Sequence, residues 1–132
     1  MIIDDQLLDN VVKEAKASPR LRKNYNLHES LDAKAQRLIN VLLPGTSVPI
    51  HRHRHTAETY VIMRGKMYVI FYNDKAEELD RFLLDSSVGN YALNIPKGRW
   101  HGIEIIEPSA ILEVKDGPYT PIQTEDILKF DH

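Results

Sequence analysis

The chain has no cysteine. Disulfides, thiolate metal ligands and a cysteine nucleophile are therefore excluded, and any metal has to be held by imidazole or carboxylate groups. Long apolar runs are missing too. Nothing approaches the roughly 20 residues that a membrane-spanning helix needs. Neither sign of charge dominates: 17 Lys and Arg against 19 Asp and Glu leave a formal net charge of −2. That balance gives no electrostatic case for nucleic acid or for an anionic membrane. The opening Met1-Ile2-Ile3-Asp4-Asp5-Gln6 lacks the basic region and apolar stretch of a secretory signal, so a cytoplasmic protein is expected. There is no internal repeat, linker or low-complexity tract. A length of 132 residues with 42% hydrophobic content suits one domain around a single moderate core.

What is present falls into two parts. Leu7, Leu8, Val11, Val12 and Ala15 recur on one helical face, which predicts a helix from about Asp4 to Lys16, stopped by Ser18-Pro19. Arg20 to His28 is polar and basic, without clear periodicity. Beyond it the chain reads as short strands: Arg37 to Leu43, Val48 to His53, Glu58 to Met63, Met67 to Tyr72, Leu79 to Leu84, Tyr91 to Ile95, His101 to Ile106 and Ala110 to Val114. Pro44-Gly45, Arg64-Gly65, Asn73-Asp74-Lys75 and Pro96 punctuate them. Many short strands with regular turns point to an antiparallel sandwich or barrel. The tail from Thr124 to Phe130 reads as a short helix or as a segment lying on the barrel.

The chemistry concentrates between Gly45 and Gly65. His51 and His53 are two apart, so on a strand both imidazoles project to one face. A turn after His53 brings the next strand back with Glu58. Downstream, Pro96-Lys97-Gly98-Arg99-Trp100-His101 is a turn that delivers another imidazole at the head of an apolar strand. Ile103 and Ile105 share the face of His101, so that face is expected to be the barrel interior, where an imidazole needs a partner. His51, His53, Glu58 and His101 together suit one borderline divalent ion: zinc, iron, manganese or nickel. His55 falls where the turn toward Glu58 begins and is read as outside the ligand set. Trp100 is expected to pack or to line a rim.

These residues carry a family resemblance. The run Gly45, five residues, His51, one, His53, four, Glu58, six, Gly65 resembles the first cupin motif at every position. Gly89, Pro96, Gly98 and His101 resemble the second, with two departures. Six residues, not the usual five, separate Gly89 from Pro96, and Ile105 stands where an Asn is usual. More narrowly, Ser18 to His28, Gln36-Arg37-Leu38-Ile39-Asn40 and Leu112 to Tyr119 resemble the WbuC-type cupin-fold metalloproteins of O-antigen and other surface-polysaccharide gene clusters. The resemblance implies an all-β fold: a cupin-type antiparallel β-barrel (double-stranded β-helix or jelly roll) with an N-terminal helix. On that basis residues 1–17 form the helix packed on the barrel and residues 18–132 the barrel of one domain.

Two function classes follow. A three-His, one-Glu set leaves about two positions of an octahedral ion open. Such an ion can polarise a carbonyl and stabilise an enediolate, as sugar isomerisation requires, or bind dioxygen if it is Fe(II). The polysaccharide setting that the resemblance implies favours a sugar or nucleotide-sugar, with Arg20 and Arg22 as substrate-binding residues for a phosphate or carboxylate. The alternative is a non-catalytic, metal-dependent sugar-binding or sensing module, since cupins include both kinds. The balance favours an enzyme, with its catalytic acid–base residue unassigned. On Ala110 to Val114 the apolar Ala110, Leu112 and Val114 are expected inside, leaving Glu113 and Lys115 outside; the alternative is a strand buried on both faces, with Glu113 supporting the site or pairing with Arg37. Glu104 and Glu107 read as surface residues. The expected partners are a small polar or anionic molecule, sugars included, and a second copy of the chain, paired through sheet edges to which Leu38 to Leu43 would contribute.

Overall fold

The computed structural model describes residues 1–128. The first element follows its apolar spacing: α1 spans Asp5–Ala17, one residue from the expected bounds at each end. Asp4 caps it by accepting a hydrogen bond from the Leu7 amide at 3.0 Å, and Lys16 lies at the negative end of the helix dipole. The chain turns extended at Ser18, as the residue before a proline favours.

Ten strands follow. They are β1 (Arg22–Asn26), β2 (Ala35–Leu42), β3 (Ile50–His51), β4 (Glu58–Arg64), β5 (Met67–Tyr72), β6 (Glu78–Leu84), β7 (Ala92–Ile95), β8 (Trp100–Ile105), β9 (Ser109–Asp116) and β10 (Ile127–Leu128). They form two antiparallel five-stranded sheets, ordered β1-β2-β9-β4-β7 and β10-β3-β8-β5-β6. All eight strands read from the sequence are present. The strand expected over Val48 to His53 shrinks to Ile50–His51, because the metal-motif loop leaves the sheet at once. The structure adds β1, whose residues Arg22-Lys23-Asn24-Tyr25-Asn26 carry no apolar alternation because β1 is an edge strand held by its ladder to β2. The tail makes a single helical turn at Thr124–Asp126 and then β10, not a helix; the end of the expected segment, at 129 and 130, lies outside the described residues.

Two packed layers explain the alternation. Leu42, Tyr60, Ile62, Met67, Val69, Leu84, Ile95 and Ile111 fill the barrel between the sheets. On the outside, Leu8, Val11 and Ala15 of α1 bury Ile39, Val41, Leu43 and Ala110. Sheet strands β2 and β9 are therefore covered on both faces. The expected facing of β9 is reversed as a result. Ile111 faces the barrel interior, Glu113 and Lys115 line the cavity and Ala110 faces the helix, because a strand covered on both sides gives no polar face to set its register. The expected role of Leu38 to Leu43 as an open dimer edge also fails. β2 is paired along its length with β1 on one side and β9 on the other.

Gly65 closes the β4–β5 turn at φ +90°, where a Cβ would run into the Pro108 carbonyl oxygen and Ser109. Among the described residues no helix is long and apolar enough to cross a membrane.

Candidate metal centre

The four residues singled out by spacing converge. One ligand atom from each of His51, His53, Glu58 and His101 lies within 4.8 Å of every other. Their delivery follows from local structure. His51 ends β3 and sits directly opposite His101 across the β3–β8 ladder. His53 leaves the sheet on the same side. The residues between and beyond, Arg52 and Arg54, point the other way and both donate to Asp126 Oδ1, at 2.9 and 2.6 Å. The Arg52 amide also donates to the Asp126 carbonyl at 3.0 Å, so the histidine loop is pinned from behind. The second motif is tied to the first by the Gly98 amide, which donates to the His53 carbonyl at 2.7 Å. Glu58 opens β4 and is buried.

The hydrogen bonds around the rings set their chemistry. His51 Nδ1 donates to the Pro49 carbonyl at 2.9 Å, and His101 Nδ1 donates to the Arg99 carbonyl at 3.0 Å. With Nδ1 carrying the proton, Nε2 of each ring is left as a lone pair aimed into the cluster. His53 Nε2 and His101 Nε2 approach Glu58 Oε1 at 3.1 and 3.3 Å. Yet Glu58 Oε1 and His101 Nε2 are both buried without a hydrogen-bond partner. Two acceptors facing each other in a sealed space need something positive between them. A divalent cation satisfies both, and the nitrogen–oxygen donor set suits one. Electrostatics agree. Burial pushes Glu58 upward, but positive charge at the His101 and His53 nitrogens outweighs it and holds the carboxyl well below the usual carboxylate range, a place that a bound cation fills in the same sense. Burial, with the neighbouring His101, lowers His51 to about 4, which leaves its imidazole neutral and free to ligate.

His55 is exposed and stands outside this cluster, as the turn geometry implied. Trp100 is buried, donates from Nε1 to Asp74 Oδ1 at 2.9 Å and carries the Arg52 guanidinium 4.3 Å above its ring. Glu104 is exposed and paired with Arg81.

A cavity of about 330 Å³ opens onto His51, His53 and Glu58. Arg20 and Arg22 are on its wall, so the structure brings them to the same space as the cluster; Lys23 is exposed and does not line it. Arg22 is steadied by donating to the Ser47 carbonyl at 2.9 Å, and burial and the Arg20 charge lower its pKa. Two neighbours depart from the favoured sequence reading. Glu113 faces this cavity, not the surface, and accepts a hydrogen bond from Asn40 Nδ2 at 3.0 Å. Burial and the Glu58 carboxylate push the Glu113 carboxyl up to about 7. The sequence carried one sign of this: Asn40 interrupts the apolar run Leu38-Ile39-Asn40-Val41-Leu42, and a buried amide needs a partner. Tyr60 completes the wall, fully enclosed, with its hydroxyl kept protonated by burial and by the charges of Glu58 and Glu113.

The family model described as Domain of unknown function (DUF6016) matches residues 3–84. No curated protein matches. Among solved structures, the chain resembles a protein from Thermus thermophilus at 24% identity and TM-score 0.61, covering 88% of this chain and 97% of that one. A cupin-2 domain containing protein from Shewanella frigidimarina matches at 19% identity and TM-score 0.55, over 72% and 80% of the two chains. The capsular polysaccharide assembling protein CapF from Staphylococcus aureus matches at 18% identity and TM-score 0.62. That match covers 74% of this chain but only 27% of CapF. The shared element is the cupin-type barrel.

Proposed function

The chain belongs to the family described as Domain of unknown function (DUF6016), and from that premise we propose that it is a cupin metalloenzyme acting on a small oxygenated anion, a sugar or nucleotide-sugar of surface-polysaccharide assembly. One observation carries the metal: the buried, unpartnered Glu58 Oε1 and His101 Nε2 face each other inside a three-His, one-Glu cluster. His51, His53, Glu58 and His101 would hold a single divalent ion, which when bound supplies Lewis-acid polarisation of a ligand oxygen. The remaining roles belong to the chain. Arg20 and Arg22 on the cavity wall take the anionic group. Glu113, raised to about 7, is matched to holding or releasing a proton near neutral pH, the property a general acid–base group requires. Its presence in the cavity favours an enzyme over a passive binding module. The polysaccharide setting is supported by the resemblance of Ser18 to His28 and Leu112 to Tyr119 to the WbuC-type proteins, and by the barrel likeness to CapF.

The test is metal analysis of protein purified without chelator, followed by a screen of activated sugars. Wild type should carry about one equivalent of a divalent metal, and His53→Ala should carry none. Full metal content in His53→Ala refutes the site.

A further inference from the structure

Apart from the His51, His53, Glu58 and His101 cluster, a second polar band crosses the inner face of the first sheet. Asn24 pairs with Asn40 across β1 and β2, and Glu113 pairs with Tyr60 across β9 and β4. Asn40 donates to Glu113, so the band is continuous from the arginine-bearing edge strand to the strand that carries Glu58. Two residues along β2, β9 and β4 from this band, the same face carries the apolar Leu42, Ile111 and Ile62. The band looks across the cavity at the imidazoles of the second sheet.

Its hydrogen-bond inventory is unbalanced. Asn40 spends its amide on Glu113 Oε1, and Asn40 Oδ1 has no donor. Among the described residues no Lys or Arg comes within ion-pair distance of Glu113, although the Lys115 charge reaches it across the cavity, and Glu113 Oε2 accepts no hydrogen bond. An ionised carboxylate only accepts. Glu113 Oε2 and Asn40 Oδ1 therefore stand as acceptors without a donor, in a cavity that Arg20, Arg22 and Lys115 also line. A bare anion seated on those arginines meets a like charge at Glu113. A molecule that brings a hydroxyl to Glu113 turns that repulsion into a charge-assisted hydrogen bond.

Resting on the metal-and-anion reading above, we infer that Glu113, held from behind by Asn40, accepts a hydrogen bond from a hydroxyl of the bound molecule, so that the ligand is a hydroxylated anion, either a hydroxy acid or a sugar phosphate. A site built to hydrogen-bond a hydroxyl discriminates strongly against the analogue without it, because its buried acceptor is then left unpaired.

Matched pairs test this by titration calorimetry on Zn(II)-loaded protein at pH 8, where the Glu113 carboxyl is ionised: lactate against propionate, and glycerol phosphate against propyl phosphate. In wild type the hydroxylated member of one pair should bind at least about tenfold tighter, and which pair does so tells hydroxy acid from sugar phosphate. Glu113→Gln should cut that ratio to about twofold without weakening the hydroxyl-free member. Arg20→Ala with Arg22→Ala should weaken both members alike and preserve the ratio. Equal binding of both members in wild type, which needs no variant, overturns the inference, as does an unchanged ratio in folded Glu113→Gln. Those results leave the proposed function standing if metal is stoichiometric and the anions bind. Absence of any anion binding, or of metal, removes the proposed function and the inference with it.

Discussion

Glu113→Gln should make the metal-free protein more stable at pH 8 and flatten its stability between pH 5 and 8. The folded carboxyl titrates at about 7, against 4.5 in an ordinary setting. Between those values the folded state holds a proton that the unfolded chain has released. The stability contributed by this group is thus full below 4.5 and is lost as pH rises through 7. The gap from 4.5 to about 7 corresponds to about 3–4 kcal/mol at the most, and the partial exposure of the side chain to the cavity brings the expectation to about 1–3 kcal/mol. Gln keeps an oxygen for Asn40 Nδ2 and carries no charge, so it removes the titration and little else. His51 acts in the opposite sense. Its pKa drops from 6.5 to about 4, so its stability contribution grows as pH rises across that range. The wild-type curve mixes both effects, and only the difference between the two proteins isolates Glu113.

The assay is urea unfolding of both proteins in EDTA at pH 5, 6, 7 and 8. The variant's advantage should be small at pH 5 and reach its plateau by pH 8. Loading with Zn(II) should shrink that advantage, because neutralising Glu58 removes the second cause of the Glu113 shift, after burial. A constant difference across the range, or a variant less stable at pH 8, would show that the Glu113 carboxyl is not held where the argument puts it.

Arg20→Ala with Arg22→Ala should weaken binding of a phosphate- or carboxylate-bearing ligand at least about tenfold and leave metal content unchanged, as read by calorimetry and elemental analysis. Leu8→Ala empties a site on α1 that is 5% exposed and should cost about 2–4 kcal/mol in denaturant unfolding. Arg64→Ala, which breaks the surface pairs to Asp5 and Asp9 on the same helix, should cost less than about 1 kcal/mol. If the two variants cost the same, the apolar layer is not what holds α1. Gly65→Ala combines an unfavourable backbone region with a clash at the Pro108 carbonyl, and a loss of at least about 2 kcal/mol is expected.

The metal-cluster geometry was legible in the sequence because its period is local. His51 and His53 need only a strand to share a face, and Glu58 needs only a turn. His101 required one long-range assumption, that Ile103 and Ile105 mark the interior, and the structure agrees. Glu113 was misplaced because the same logic fails on a doubly covered strand. In Ala110-Ile111-Leu112-Glu113-Val114 either alternation looks like a core face, and the choice depends on α1, which comes from the other end of the chain. β1 was missed for a related reason: an edge strand with polar side chains is stabilised by its backbone ladder, which leaves no mark in hydropathy. The shortness of β3 was hidden because the loop that follows it is fixed by Asp126, more than 70 residues away.

The division between the two sheets suggests how such a barrel separates holding a metal from choosing a ligand. The imidazoles His51 and His101 come from one sheet, on neighbouring strands whose register is fixed by direct pairing. The residues that line the cavity opposite them, Arg22, Asn40, Tyr60 and Glu113, come from the other, as does Glu58, which reaches across to the imidazoles. On the proposed function, changes along β1, β2 and β9 would alter what the cavity accepts without moving an imidazole. That separation has a cost on the ligand-reading side. Glu113 sits near enough to Glu58 for each to feel the other's charge, so occupation of the cluster and ionisation of the wall are coupled. A cation on Glu58 lowers the penalty for an ionised Glu113, and an ionised Glu113 in turn favours the cation, as reciprocal linkage demands. Metal affinity should then fall less steeply with acid in Glu113→Gln than in wild type near neutral pH. Competition against a coloured chelator from pH 6 to 8 reads this directly, and parallel curves for the two proteins would mean that the cluster and the wall act independently.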